Sequence, residues 1–159
     1  MSLDLENILY LDLKDGRVTI QLFPDVAPNH VKRIKELVRQ GFYNGLVWHR
    51  VIDGFMSQGG DPTGTGMGGS GVKLKAEFNA VPHTRGIVSM ARAQHPDTAD
   101  CQFFICLADS HFLNNQYTAW GRVIDGMEFV DKIKKGDAQQ NGLVQDPDKI
   151  VSIVVAADV

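Results

Sequence analysis

Residues 9–22 read LYLDLKDGRVTIQL and contain two alternating apolar runs joined by a short polar segment. In both runs the apolar side chains fall on every second residue: Leu9, Leu11, Leu13, Val18, Ile20 and Leu22. Strict alternation is typical of a strand with one face toward a core. Asp15-Gly16 between the runs is typical of a two-residue hairpin turn. The stretch therefore predicts a β-hairpin and a fold that begins with antiparallel strands.

The chain that follows the hairpin predicts one helix and then a series of short strands. Residues 28–40 predict a helix, because Pro28 suits a first helical turn and Gly41 a C-terminal stop. Further runs rich in Val, Ile, Phe and Trp predict strands at 46–52, 54–58, 86–92, 102–107, 118–124 and 149–157. A second short helix fits GMEFVDKIKKG at 126–136. About eight strands with two isolated helices indicate an antiparallel barrel or sandwich with a helix over each opening.

Composition limits the classes of function. The chain has 159 residues, enough for one domain with a sizeable core, and a net charge of −3 that argues against nucleic-acid binding. No signal peptide and no apolar run long enough to span a membrane are expected. Cys101 and Cys106 lie five residues apart in a predicted strand and so point to opposite faces, which predicts neither a disulfide nor a metal site. Two reduced cysteines in such a chain predict a cytoplasmic protein.

The usual motifs of cofactor and covalent chemistry do not fit. Residues 59–71, GGDPTGTGMGGSG, formally match G-x-G-x-x-G, but no helical pattern follows, which predicts a surface loop rather than a nucleotide site. No two of the five histidines have the spacing of a metal site. His49 alternates with Val47 and Val51, which predicts a hydrogen-bonded side chain in the barrel interior rather than a catalytic one. No G-x-S-x-G sequence is present, and paired catalytic carboxylates are not indicated.

One arginine lies within the apolar stretch VWHRVIDGFMSQGGD at 47–61. Alternation puts Arg50 on the same face as Leu46, Trp48 and Ile52, opposite His49. A guanidinium keeps its charge and needs hydrogen-bond acceptors. Either a carboxylate from elsewhere pairs with it, which is the more common case, or it faces a group that is not always present.

A second strand mixes polar and aromatic side chains in the same way. In CQFFICL at 101–107, Gln102 and Phe104 share one face, while Phe103, Ile105 and Leu107 share the other. One face therefore serves a core, and the other presents aromatic and polar groups together.

Four long motifs resemble the cyclophilin-type peptidyl-prolyl cis–trans isomerases, most closely the small bacterial members. They read FYNGLVWHRVIDGFMSQGGDPTGTG, HTRGIVSMARAQ, CQFFICLADSHFLN and WGRVIDGMEFVDKI, and the resemblance covers nearly the whole chain. It implies a single domain over residues 1–159 with a mainly β fold, a closed eight-stranded antiparallel β-barrel capped by two α-helices. It also implies an active site on the outer wall of that barrel.

The resemblance implies specific site residues. The catalytic positions match Arg50, Gln58 and Phe104. The substrate-binding positions match Phe55, Met56, Ala91, Arg92, Gln102, Phe112, Leu113 and Tyr117. Among these, the proline pocket would be Phe55, Met56, Phe104 and Leu113, and Gln58 and Gln102 would bind the substrate backbone.

Three positions depart from the best-known eukaryotic pattern. Arg92 stands where asparagine is usual, Phe112 where tryptophan is usual, and Tyr117 aligns with a histidine. These changes put cyclosporin binding in doubt more than isomerase activity, so cyclosporin is expected to bind with reduced affinity.

The implied reaction is rotation about an Xaa-Pro amide, whose barrier is about 18–20 kcal/mol. No bond breaks, so no cofactor or metal is expected. The expected partners are proline-containing polypeptides, with no nucleic acid and no membrane, and the chain is expected to be a monomer. A competing interpretation is a binding module that holds Xaa-Pro segments without catalysis. A nucleotide-binding protein would rest on the glycine loop alone.

Overall fold

The hairpin forms at the predicted place, with its turn one residue earlier. The computed structural model describes residues 4–159, in which β1 (Ile8–Leu13) pairs with β2 (Gly16–Leu22). Leu13 lies opposite Gly16, so the two turn residues are Lys14 and Asp15 rather than Asp15-Gly16. Gly16 has an extended backbone, and a Cβ there would lie 2.6 Å from the Phe129 ring. The glycine therefore makes room for a neighbour instead of forming the turn.

The first helix, α1, spans Pro28–Arg39, close to the predicted 28–40. Its buried face is a single stripe: His30, Val31, Ile34, Leu37 and Val38. Ala27 offers no side-chain cap. Glu77 takes that role from a distant segment, because its carboxylate accepts hydrogen bonds from the main-chain N–H groups of Asn29 and His30 at 3.2 and 2.8 Å. The first turn of the helix is thus fixed to the irregular segment between β4 and β5.

The remaining strands are shorter than predicted, except the one predicted at 118–124, which keeps its length and lies one residue later. They are β3 (Arg50–Ile52), β4 (Met56–Gly59), β5 (Ile87–Met90), β6 (Phe103–Cys106), β7 (Ala119–Asp125) and β8 (Ser152–Val155). The second helix, α2, spans only Met127–Val130, within the predicted 126–136. Among the described residues, all eight strands form one antiparallel sheet in the order β3-β4-β6-β5-β7-β2-β1-β8.

The prediction of a closed barrel is wrong, because the sheet curls into a half-barrel and stays open between β3 and β8. The outer edge of β3 is paired with the loop at 136–144, where the Val51 N–H donates to the Gly142 carbonyl at 2.9 Å. Irregular chain crosses the gap, where the segments 45–48 and 148–150 share three main-chain hydrogen bonds around the bridge between Val47 and Lys149. Because β3 has only three residues and its outer edge is already paired with the loop at 136–144, β3 and β8 form no continuous ladder.

The core lies on the concave face of the sheet, under α1. Phe103 is at its centre, with ring centroids 5.4, 5.6 and 5.9 Å from Tyr43, Trp48 and Trp120 in edge-to-face contacts. Alternation predicted that Trp48 shares a face with Arg50. This prediction is wrong, because Trp48 packs in the core. The chain is irregular before β3 begins at Arg50, and a period of two holds only within a regular strand.

His49 is buried, as predicted, but its Nδ1 has no hydrogen-bond partner within the described part of the chain.

No helix among residues 4–159 is long and apolar enough to cross a membrane.

We expect the free energy of unfolding to fall as the pH drops from about 7.5 to about 5.5. His30, His49 and His83 are buried, and burial lowers the pKa of each below the ordinary value. In that pH range the unfolded chain binds protons that the folded protein does not. The stability contributed by the three neutral histidines is therefore fully present above about pH 6.5 and is lost as the pH falls below it.

Urea unfolding at the two pH values measures the effect. Replacing the exposed His95 by glutamine should leave the pH dependence unchanged. Equal free energies of unfolding at both pH values would contradict the prediction.

Candidate active site

A second apolar cluster lies on the opposite face of β4 and β6 from the core. Its buried members are Met56, Phe104, Cys106 and Leu113, and we call it the cleft cluster. Strand alternation explains it, because successive residues of β6 point to opposite faces. Phe103 and Ile105 enter the core while Phe104 and Cys106 enter the cleft cluster, as the sequence predicts.

Strand register aligns the three predicted catalytic residues across the sheet. Arg50 of β3 lies opposite Gln58 of β4, and Gln58 lies opposite Phe104 of β6. Neighbouring strands are about 4.8 Å apart, so these side chains form a continuous row on one face. Residues separated by up to 54 positions in sequence are thus brought together by pairing alone.

Arg50 is half-buried and bound by neutral acceptors. Its Nε donates to the Asn141 carbonyl at 2.9 Å, one terminal nitrogen to Asn141 Oδ1 at 3.0 Å, and the other to Gln58 Oε1 at 3.1 Å. No carboxylate of residues 4–159 lies within ion-pair distance of it. Burial lowers the pKa of Arg50 below its usual value, yet a guanidinium stays protonated at neutral pH. The sequence left open whether this arginine has an ion-pair partner, and the described structure has none.

The hydrogen bonds continue from Arg50 to the glycine loop. Gln58 Nε2 donates to Gln102 Oε1 at 3.0 Å. Gln102 Nε2 donates in turn to the carbonyls of Gly66 and Gly68, at 3.0 and 3.1 Å. Both glutamines are therefore held in one orientation before any ligand is present.

The glycine loop is itself fixed by a buried carboxylate. Asp61 accepts hydrogen bonds from four main-chain N–H groups: those of Thr63, Thr65, Gly66 and Gly68. Burial alone would raise the pKa of Asp61, but these hydrogen bonds together lower it. The loop is therefore an ordered wall of the cleft, and in the described chain no helix follows it before β5.

Two adjoining cavities make up the cleft. The small cavity has a volume of about 120 Å³ and is lined by Arg50, Phe55, Met56, Gln58, Ala91, Arg92, Phe104, Leu113 and Tyr117. The large cavity, about 430 Å³, extends between the glycine loop and the segment at 91–102. The cavities share Gln58, Ala91 and Arg92. Gln102 lines the large cavity, so the structure brings ten of the eleven predicted site residues to cavity walls.

The eleventh predicted residue, Phe112, lies at the rim. It is 71% exposed, and its ring centroid is 5.5 Å from that of Phe55. At the floor of the small cavity, Phe104 contacts Tyr117 edge-to-face and stacks with His83 from below. The small cavity thus has an aromatic floor, an aromatic rim and two cationic side chains in its wall.

Asn141 is the contact that sequence reasoning missed. It has a left-handed backbone with φ of 58°, so that its carbonyl and its side-chain oxygen both face Arg50. Asn is among the few non-glycine residues that adopt this conformation readily. The Asn141-Gly142 dipeptide indicates a turn, but no local signal shows that this turn meets a strand 91 residues earlier.

Within the described residues, no group of three or more histidine, cysteine, aspartate or glutamate side chains could hold a metal ion. Cys101 and Cys106 are free and buried, and burial raises the pKa of each thiol to about 12. Neither thiol is therefore activated as a nucleophile. What the cleft offers is three cationic side chains, two oriented amides and a partly apolar cavity.

Comparison with known proteins gives a consistent result. The family described as cyclophilin type peptidyl-prolyl cis-trans isomerase/CLD matches residues 8–155. A probable peptidyl-prolyl cis-trans isomerase of Brucella suis biovar 1 is 50% identical over 167 aligned positions, which cover 98% of this chain and 85% of that protein. Peptidyl-prolyl cis-trans isomerase B of Bacillus subtilis is 42% identical over 139 positions, covering 86% of this chain and 96% of that protein.

Solved structures show the same fold. A cyclophilin from Hirschia baltica aligns with a TM-score of 0.89 at 29% identity, covering all of this chain and 77% of the other. A cyclophilin-type peptidyl-prolyl cis-trans isomerase of Cryptosporidium parvum, crystallised in the presence of the dipeptide Ala-Pro, aligns with a TM-score of 0.85 at 32% identity. That alignment covers 93% of this chain and 98% of the other.

Proposed function

This chain belongs to the cyclophilin-type peptidyl-prolyl cis–trans isomerases, and from that membership we propose that the cleft is its active site and that Arg50 is its catalytic cation. The observation that carries the proposal is a half-buried guanidinium in the wall of a small, partly apolar cavity, held by amide and carbonyl oxygens of the described residues. Such a cation keeps its full charge for a ligand.

The chemistry requires a group that favours a twisted amide. In the planar amide the nitrogen lone pair is delocalised into the carbonyl, whereas at 90° the nitrogen regains that lone pair. A fixed cation near the nitrogen binds the twisted state better than either planar state, which is differential binding of the transition state. Lowering the barrier by about 6–7 kcal/mol corresponds to an acceleration of roughly 10⁵-fold. Arg50 is suited to this task because its charge and its orientation are both fixed.

The small cavity would hold the pyrrolidine ring. Phe55, Met56, Phe104 and Leu113 surround it with apolar surface. Burial of the ring would anchor the proline side of the bond, so that the preceding residue swivels against a fixed end. Burying apolar area in a preformed cavity costs little reorganisation, because the cleft cluster is already packed.

The two glutamines keep unused hydrogen-bonding capacity for the substrate backbone. Gln58 Nε2 uses one of its two N–H groups on Gln102, which leaves one donor for a substrate carbonyl. Both N–H groups of Gln102 are used on the glycine loop, but its Oε1 accepts only one bond and could accept another from a substrate N–H. The pair would therefore fix the flanking backbone while the amide turns.

The substrates would be proline-containing polypeptides, and the biological role would be to assist protein folding. Uncatalysed proline isomerisation takes tens to hundreds of seconds and limits the folding of many chains. The Cryptosporidium parvum relative crystallised in the presence of Ala-Pro supports this class of substrate.

Exchange NMR on a short Xaa-Pro peptide tests the proposal. A catalytic amount of protein should broaden and merge the separate cis and trans resonances, because exchange becomes fast while the equilibrium ratio stays constant. Peptide shifts that report binding without faster exchange would support the binding module instead.

The contact between Asn141 and Arg50 gives a further prediction. Asn141→Asp keeps the shape and tolerates the left-handed backbone, but it places a carboxylate where Oδ1 now lies 3.0 Å from the guanidinium. The resulting ion pair would weaken the positive field at the amide nitrogen, so we expect kcat/KM to fall about tenfold, equivalent to about 1.4 kcal/mol.

Asn141→Gly is the matched control, because it also permits the left-handed backbone and retains the carbonyl that binds Nε. It should lose only a few-fold in kcat/KM, about half of the free-energy effect of the aspartate. An aspartate variant as active as the glycine variant would show that the field of Arg50 does not control the rate.

A further inference from the structure

The cleft is positively charged on a protein whose net charge is −3. Three cationic side chains line the two cavities: Arg50, Arg92 and Lys73. Asp100 is the single carboxylate on their described walls. A local excess of cations in a concave, partly desolvated surface attracts anionic groups more strongly than the same charges on a flat surface.

Asp100 lowers the positive charge of the cleft by one unit but forms no ion pair with these cations, and its oxygens are bound by the loop beside it. Oδ1 accepts from the N–H and the hydroxyl of Ser70 at 2.7 and 2.6 Å, and Oδ2 accepts from the Gly71 N–H at 3.3 Å. Over the described part of the chain, neither Arg92 nor Lys73 forms an ion pair. Like Arg50, these two cations therefore have no anionic partner within residues 4–159.

Arg92 is fixed at the junction of the two cavities. Its Nε donates to the Gln116 carbonyl at 2.9 Å, and one terminal nitrogen donates to the carbonyls of Ala93 and Gln94 at 3.0 Å each. Its guanidinium also lies over the Tyr117 ring, 4.8 Å from the centroid. The other terminal nitrogen makes no hydrogen bond to residues 4–159. A cation held this firmly loses little side-chain entropy on binding an anion.

From this arrangement we propose that the cleft selects prolyl segments in which an aspartate or glutamate lies close to the Xaa-Pro pair. The carboxylate would bind the free nitrogen of Arg92, with Lys73 contributing a second positive charge from across the large cavity. This inference rests on the proposed function, because it assigns a substrate preference to the same cleft. It concerns recognition alone, since Arg50 remains the group that acts on the amide.

The contact is partly exposed to solvent, so its effect should be moderate. We expect kcat/KM for an acidic peptide to exceed that of its amide counterpart about five- to tenfold at low ionic strength. The ratio should shrink when salt is raised from about 0.05 M to about 0.5 M, because the screening length shortens.

The test uses peptides of equal length that differ in one residue, with glutamate, glutamine or lysine placed either before Xaa or after proline. Exchange NMR gives kcat/KM for each peptide, and chemical-shift titration of the same samples gives Kd. Wild type should prefer glutamate over glutamine, and glutamine over lysine, at one of the two positions. Arg92→Gln should reduce the ratio of glutamate to glutamine toward one, and Lys73→Gln should reduce it less.

Lys32→Gln is the matched control. It removes one positive charge from the exposed side of α1, outside both cavities, and should leave the ratio unchanged. Thermal unfolding of each variant checks that the fold is kept.

Equal kcat/KM for glutamate and glutamine at both positions in wild type would overturn the inference, as would a ratio that survives Arg92→Gln. Turnover of all peptides without a charge preference would leave the proposed function intact. If no peptide were turned over, the proposed function would fail, and the Kd ratios would still decide the charge preference.

Discussion

Replacing Arg50 by alanine should give a folded protein that has lost about 10²- to 10³-fold in kcat/KM for Xaa-Pro peptides. The expected loss is large because β3 holds this guanidinium in the wall of the small cavity, where partial burial strengthens its field. Most of the effect should appear in kcat, because the cation favours the twisted amide over the planar ground state. Exchange NMR and a protease-coupled assay both measure it.

Two control variants distinguish the effect of the lost charge from the effect of the lost guanidinium geometry, and both from the effect of removing an arginine elsewhere. Arg50→Lys keeps the charge but loses the rigid fork that contacts Asn141 and Gln58 together, so it should recover only part of the activity. Arg122→Ala removes an exposed arginine of β7 that contacts Gln21 and should keep normal turnover. Near-normal turnover of a folded Arg50→Ala protein would rule out the arginine mechanism.

Phe103→Ala should cost about 3–5 kcal/mol in the free energy of unfolding, the largest stability effect that we expect from a single substitution. The ring is 1% exposed and contacts three aromatic rings edge-to-face, those of Tyr43, Trp48 and Trp120. Removing it would leave a cavity at the centre of the core and would also remove these aromatic contacts. Urea unfolding monitored by tryptophan fluorescence measures the loss.

The neighbouring residue supplies the matched comparison. Phe104→Ala removes an equally large ring from the same strand, but from the cleft cluster, which has only four buried members. It should cost less stability than Phe103→Ala and much more activity, because the floor of the small cavity is lost. Similar stabilities for the two variants would mean that the two faces of β6 are not energetically distinct.

Much of this fold could be predicted because its signals are local. The alternation in 9–22 predicted the hairpin, and the stripe in 28–40 predicted α1. The pattern of CQFFICL separated Phe103 from Phe104 correctly, because a regular strand keeps a period of two. The motifs shared with cyclophilins predicted the residues that line the cleft, although their catalytic and binding roles stay proposals.

The remaining features depend on contacts between distant segments. The sheet is open because the loop at 136–144 occupies the edge of β3, and nothing in either segment alone predicts that pairing. Asn141 binds Arg50 through the same pairing. Trp48 was placed on the wrong face because the irregular backbone before Arg50 ends the alternation. The monomeric state, the cytoplasmic location and the weakened cyclosporin binding stay predictions of the sequence.

The separation of the cleft cluster from the core has a consequence for how such a protein can diverge. Most random substitutions are tolerated only while the folded state stays above a stability threshold. Residues at the rim, such as Phe112 at 71% exposure, contribute little to the packing of the core. Substitutions there should therefore change the free energy of unfolding only slightly. Recognition of new clients can therefore evolve on the outer face of the sheet while selection for stability acts on the inner one.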